Sequence, residues 1–191
     1  MLAQLIPRHR VFISYHDGRK NPSEGGDFGF RLLFEEYFAG SAEALISGAV
    51  RDGDIDPYIS TDTTRQRIRD EYLRNTTVTV VLIGARTWQR KHVDWEIGSS
   101  IRHTQFNPRS GLLGILLPSY PGYPDRYDPH TIPPRLYDNL TCGYATLHPW
   151  TNDPIIVKSW IHEAFLRKDR LQPDNSRPHF GRNWTGGAWA D

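Results

Sequence analysis

Between Val78 and Ile101 the chain reads VTVVLIGARTWQRKHVDWEIGSSI, and few folds accommodate that order of residues. Val78 to Ile83 is apolar except for Thr79, and Gly84 stops the run. An apolar run without alternation predicts a strand covered on both faces. A polar loop follows, Arg86 to Lys91, and then Val93, Ile97 and Ile101 recur at helical spacing with Ser100 beside them. On a helical wheel Glu96 falls at the edge of that apolar stripe. A strand therefore delivers its C-terminal end to a loop, and the next helix carries one carboxylate beside it. In open α/β sheets the crevice at the carboxyl ends of the strands is where ligands bind. Glu96 is either a catalytic carboxylate in such a crevice or a solvated one at a helix edge, and the pattern alone leaves both open.

The rest of the chain repeats the strand–helix alternation. Arg10 to Tyr15 predicts a first strand, and His16 to Asp27, with three glycines and a proline, a long polar loop. Asp27 is placed to cap a helix running to about Phe38, with Phe30, Leu33, Phe34 and Tyr37 facing the sheet. Ala42 to Val50 favours a short helical piece. A second strand is expected at Pro57 to Ser60, followed by a helix over Thr64 to Arg74 anchored by Ile68, Tyr72 and Leu73. Gly111 to Leu117 is a further apolar run and predicts a buried strand. The stretch Pro118 to Pro134 holds six prolines, which predicts a long irregular loop, either a solvated excursion or a lid. A last strand is expected near Gly143 to Leu147, and an amphipathic helix over Pro154 to Lys168 capped by Asp153. The segment from Gln172 onward, rich in Pro, Gly and Asn, carries Phe180, Trp184 and Trp189; it either stays loose or lays these rings on the domain or on a partner. Alternating strands and helices predict a flavodoxin-like α/β fold with a five-stranded parallel sheet, order 2-1-3-4-5, and helices on both faces. The loops after Tyr15 and Ile83 would then flank one crevice.

Composition narrows the function. A chain of 191 residues suits one domain plus a tail; the expected division is a flexible start over 1–9, a domain over 10–168 and a tail over 169–191. Lys and Arg total 23 against 22 Asp and Glu, which gives no bulk electrostatic reason to bind nucleic acid. The single cysteine, Cys142, cannot form an internal disulfide and suits a reducing cytosol; it is expected to be buried and inert. No apolar run approaches the roughly 20 residues of a membrane span, and the start lacks a signal-peptide core. The expectation is a cytoplasmic protein without membrane partners. The eight histidines show no metal-ligand spacing, and no GxSxG elbow supports a serine hydrolase.

The strand VFISY followed by His16 and Asp17, the strand ending LIG, and the helix-borne DWEIG at Asp94 to Gly98 together resemble the TIR-like domains of bacterial antiphage systems, including the TIR proteins of Thoeris. The resemblance spans roughly Arg10 to Phe165. It implies a flavodoxin-like sheet and cleavage of NAD at the nicotinamide–ribose bond. The product would be a cyclic or otherwise modified ADP-ribose messenger that activates a separate effector protein. It also implies a homo-oligomer and a possible phage-derived trigger. Glu96 matches the family's catalytic glutamate, and Phe12, Ser14 and Tyr15 match its pattern at the end of the first strand. The proline-rich loop and the tail lie outside the minimal pattern.

The chemistry needs only one carboxylate. Ordinary glycosidases use two, one of them to protonate the leaving oxygen. Nicotinamide departs neutral from a cationic pyridinium, so the acid is dispensable, and one carboxylate can steady the oxocarbenium-like ribose. NAD is thus a substrate, and no cofactor or metal is required. Candidate substrate contacts are Phe12, Ser14, Tyr15, His16 and Thr87, with Trp88, Trp95 and Tyr15 as aromatic walls. The His16–Asp27 loop could hold a diphosphate through its backbone N–H groups with Arg19 or Lys20, and Ser14 could equally just end a strand. Asp94 reads as a first-turn helix charge rather than a second acid. Two other readings stand beside this one: a non-enzymatic TIR-like interaction module, and a nucleoside deoxyribosyltransferase-like enzyme with the same sheet.

Overall fold

The computed structural model describes residues 6–19, 26–47, 63, 70, 73–104 and 107–190. Five parallel strands run β1 Arg10–Ser14, β2 Ala44–Ser47, β3 Val78–Ile83, β4 Gly111–Leu116 and β5 Ala145–Pro149. They lie side by side in the order β2-β1-β3-β4-β5. Among the described residues four α-helices accompany them: α1 Phe28–Phe38, α2 Lys91–Ser100, α3 Pro134–Thr141 and α4 Pro154–Arg167.

Strand periodicity sorts the core into two halves. Every residue of β3 and β4 is buried, and alternate side chains point to opposite faces. Val78, Val80 and Leu82 pack with Phe34 and Phe38 of α1 and with Val157, Ile161 and Ala164 of α4. Val81 and Ile83 pack on the other face with Val93 and Ile97 of α2 and Leu136 of α3. The unbroken apolar runs thus follow from a sheet covered by helices on both sides. Gly111 opens β4 where α4 passes close: a Cβ there would lie 2.2 Å from the Ala164 carbonyl oxygen.

Several expectations need correction. The strand beside β1 is Ala44–Ser47, where a helical piece was expected; Pro57–Ser60 lies outside the described residues, as does most of Thr64–Arg74. In α1 the inward residues are Phe34 and Phe38, while Tyr37 is exposed. The helix advances by about 100° per residue, so Phe38 continues the Phe34 face one turn on and Tyr37 does not. Asp27 precedes α1 without a side-chain capping bond; its carboxylate is used elsewhere. Asp153 does cap α4, accepting from the Ile155 and Ile156 N–H groups at 2.8 and 3.4 Å.

The proline-rich stretch is not wholly irregular. Pro129–Thr131 forms a 3₁₀ turn capped by Asp128, and Pro134 opens α3. Proline is tolerated at the first helical position because its missing N–H has no intrahelical acceptor there. Tyr120 and Ile132 are buried, and the Tyr120 hydroxyl sits 2.6 Å from Thr131 Oγ1, so the stretch is pinned to the domain. Cys142 is exposed rather than buried. No helix among the described residues is long and apolar enough to cross a membrane.

Candidate functional site

The C-terminal ends of β1 and β3 and the first turns of α2 converge on one buried polar cluster. Ser14 closes β1 and is fully buried. Its hydroxyl donates to Glu96 Oε2 at 2.5 Å, the length of a strong bond to a carboxylate. Glu96 is 0% exposed. One turn earlier on α2, at the i−4 position that shares its side of the helix, His92 is also buried. Its Nε2 lies 3.3 Å from the Tyr15 carbonyl oxygen, and a carbonyl only accepts, so that nitrogen carries the proton. Helix α2 therefore faces the end of β1 with a histidine and a carboxylate, both oriented by residues of the first strand and its exit. His92 was legible in the sequence only through its four-residue spacing from Glu96.

Of the other predicted contacts, Tyr15 and His16 are buried beside Ser14. Burial, with the Asp17 charge adding to it, pushes the Tyr15 phenol above its usual range. Phe12 is fully buried within β1, paired with Thr79 of β3. Trp88 is buried in the turn Thr87–Gln89. Trp95 turns toward the C-terminal segment, and its indole N–H donates to the Phe180 carbonyl at 2.8 Å. It is a wall between α2 and the C-terminal segment rather than an open face of the crevice.

Thr87 belongs to a buried knot. Its hydroxyl accepts from the Gly84 N–H at 2.8 Å and donates to Asp27 Oδ2 at 3.0 Å. The Ser119 hydroxyl donates to Asp27 Oδ1 at 3.1 Å, and the Asp27 N–H donates to the His16 carbonyl at 2.7 Å. One carboxylate thus ties the loops that follow β1, β3 and β4. Gly84 is needed for this: a Cβ there would lie 2.0 Å from Asp27 Oδ1. Burial pushes the Asp27 carboxyl up to about 6, with the Thr87, Ser119 and Gly84 bonds only partly offsetting it. An unfolded chain releases that proton near 3.8, so the fold is most favoured below that pH and loses stability as pH rises to about 6. Asp27→Asn removes the buried charge and keeps one acceptor. It is expected to raise unfolding stability at pH 7.5 by about 2 kcal/mol and to remove the loss of stability that the Asp27 carboxyl contributes as pH rises from 3.8 to about 6, as read by urea titration of the variant beside the wild type.

The outer side of α2 is enclosed by an ionic clasp. Asp94 is 1% exposed and Arg135, from α3, 0%. Arg135 Nε donates to Asp94 Oδ1 at 2.8 Å, and its other nitrogens reach Asn175 Oδ1 at 2.7 Å and the Arg177 carbonyl at 2.7 Å. His179 Nδ1 and the Phe180 N–H complete the shell of Asp94 at 3.3 and 3.0 Å. Burial alone would raise the Asp94 carboxyl, but the His179 bond and the Arg135 guanidinium outweigh it and hold the group below its usual range. Asp94 is therefore a structural hub, more than a first-turn charge. Further along, Trp189 stacks on His130, and its indole N–H donates to the Ile132 carbonyl at 2.8 Å. The terminal aromatics lie on the domain. Gly98 accommodates this strap: a Cβ there would lie 2.3 Å from His179 Cε1. Gly98→Ala is expected to push His179 off Asp94, to cost about 1–3 kcal/mol, and to expose the segment after Arg177 to limited proteolysis at native temperature.

Among the described residues no group of three or more His, Cys, Asp or Glu could hold a metal ion. No curated protein and no solved structure matches the chain. A family model does: Thoeris protein ThsB, TIR-like domain, over residues 12–121. That span holds Ser14, Asp27, Gly84, His92 and Glu96, and ends before Arg135 and the strap. More than half of the chain carries the family's pattern, and the buried cluster around Glu96 falls inside it. The chain belongs to the TIR-like domain family of the Thoeris protein ThsB, and is a defence-related TIR protein.

Proposed function

We propose that this protein cleaves the nicotinamide–ribose bond of NAD and releases a cyclic or modified ADP-ribose as a messenger in antiphage defence, with Glu96 as the catalytic carboxylate. The observation that carries the reading is the Ser14–Glu96 bond at the C-terminal end of β1. It fixes one buried carboxylate at the carboxyl edge of the sheet, in a family of defence TIR proteins. Glu96 accepts from a hydroxyl there, and Arg135 of α3 is bound to Asp94.

The chemistry follows from the positions. Nicotinamide leaves as a neutral base, so no proton donor is needed at the leaving nitrogen. The developing positive charge on the ribose is steadied by a carboxylate already oriented by Ser14, without reorganisation during the step. A buried site strengthens that attraction and keeps water from intercepting the ribosyl cation before another nucleophile reaches it. Since Glu96 is closed to solvent, a substrate reaches it only when the loops around it open. Opening is then a natural point for an activating signal, such as assembly of several copies or a phage component.

The test is direct. Purified protein is incubated with NAD, with and without lysate from phage-infected cells, and the nucleotides are identified by mass spectrometry. The expected result is nicotinamide together with an ADP-ribose derivative. Absence of nicotinamide under all conditions, with an intact fold, overturns the reading and favours an interaction module. Base exchange on nucleosides in preference to NAD would instead assign a deoxyribosyltransferase-like activity.

A further inference from the structure

We propose that the C-terminal strap forms a second ligand site, for a nucleoside phosphate, on the side of α2 turned away from Ser14. A cavity of about 590 Å³ lies between the stretch Arg177–Thr185 and Ala190, and neither Ser14 nor Glu96 lines it. That volume is in the range of small-molecule sites. Among the described residues its wall carries Arg177, Arg182 and His179 and no carboxylate, with Phe180 and Trp184 as its aromatic rings. A guanidinium in such a wall selects an anion, and the rings select a ligand that also has a flat face.

The members of this wall are not equivalent. Arg177 is bidentate to Asp138 at 2.7 and 2.9 Å, and its guanidinium lies 4.9 Å from the Trp189 ring centroid. His179 leans on Asp94 at 3.3 Å. Arg182 is exposed and pairs with no carboxylate among the described residues, which makes it the cation most available to a phosphate. The Trp184 ring meets Phe180 edge-on, with centroids 5.8 Å apart at 69°. An edge contact leaves a tryptophan face for a base to stack on.

The groove is also pre-formed. Its backbone is tied to the segment that leads into and through α2: Trp184 N–H to the Gln89 carbonyl at 2.8 Å, Lys91 N–H to Asn183 Oδ1 at 2.9 Å, and Gln89 Nε2 to the Gly186 carbonyl at 3.0 Å. With the Trp95 and Asp94 bonds to Phe180, these hold an irregular segment in one shape, so little ordering entropy is left for a ligand to supply. A strap that merely covered α2 would need the bonds to α2 but not an outward hollow lined by cations and rings.

The test uses ADP as the probe, with adenosine and inorganic phosphate as its separate halves, in isothermal titration on the full chain. Photolabelling with 8-azido-ADP then locates the site. ADP is expected to bind saturably and more tightly than either half. Arg182→Ala and Trp184→Ala should each weaken it by roughly tenfold, Glu96→Gln should leave it unchanged, and the label should fall in the peptide 183–191. The proposal is overturned if wild-type protein binds no ADP, or if neither strap variant changes the affinity. It is equally overturned if Glu96→Gln abolishes the binding, which would put the nucleotide in the crevice, or if inorganic phosphate binds as tightly as ADP. Because no outcome requires NAD cleavage, the fate of the glycosidic reading leaves this test intact.

Discussion

Arg135→Ala is expected to destabilise the protein by about 3–5 kcal/mol, enough to remove much of the stability of a domain this size. The side chain is completely enclosed and satisfies groups on α2 and on the C-terminal segment at once. Its removal leaves the Asp94 carboxylate buried beside only His179 and the Phe180 N–H, and strands the carbonyls of Arg177 and Pro178. Urea unfolding monitored by circular dichroism measures the loss; a change below 1 kcal/mol would show that water replaces the guanidinium without penalty. Arg135→Lys should recover little, because an ammonium cannot serve the carboxylate and several carbonyls in one plane. The double variant Asp94→Leu with Arg135→Met should recover only part of the stability: it removes the unpaired buried charge but leaves the Arg177 and Pro178 carbonyls and the Phe180 N–H without their partners.

The same pair sets the acid limb of stability. The folded Asp94 carboxyl lies below its unfolded value of 3.8, so its contribution is complete above that pH and fades as pH falls through the lower folded value. Asp27 acts in the opposite direction over a higher window, from 3.8 to about 6. The two carboxylates therefore oppose each other in the pH profile, and Asp27→Asn removes one of the two opposing contributions.

How far the sequence revealed this arrangement differs by element. The runs at Val78–Ile83 and Gly111–Leu116 announce themselves because both faces of those strands are covered, and no polar alternation interrupts them. β2 was misread because Ala44–Ser47 is a four-residue edge strand, too short for a period to show. Glu96 was legible by position, yet the wheel placed it at the edge of the apolar stripe, while nine of the ten residues of α2 are buried. The reason is remote in sequence: the polar flank of α2 is covered by Arg135 and by residues after Asp174, which no local periodicity can report. Asp27 illustrates a second limit. Its place before α1 suggests a cap, but the close approach permitted by Gly84 draws its carboxylate to Thr87 and Ser119 instead. Thr87 likewise looked like a ligand contact and is committed to that knot.

The central claim concerns Glu96, and its removal carries the second large effect. Glutamine preserves the size of the side chain and an oxygen to accept from Ser14, so folding should be little changed. What disappears is the negative charge opposite the ribosyl cation, and loss of one such stabilising group slows a reaction by roughly 10²–10³-fold. The decisive measurement is the rate of nicotinamide release from NAD by Glu96→Gln, beside the wild type under the conditions that activate it, with unfolding midpoints recorded for both. The account predicts a fall of at least about 100-fold with nearly coincident midpoints; release within about twofold of wild type would contradict it.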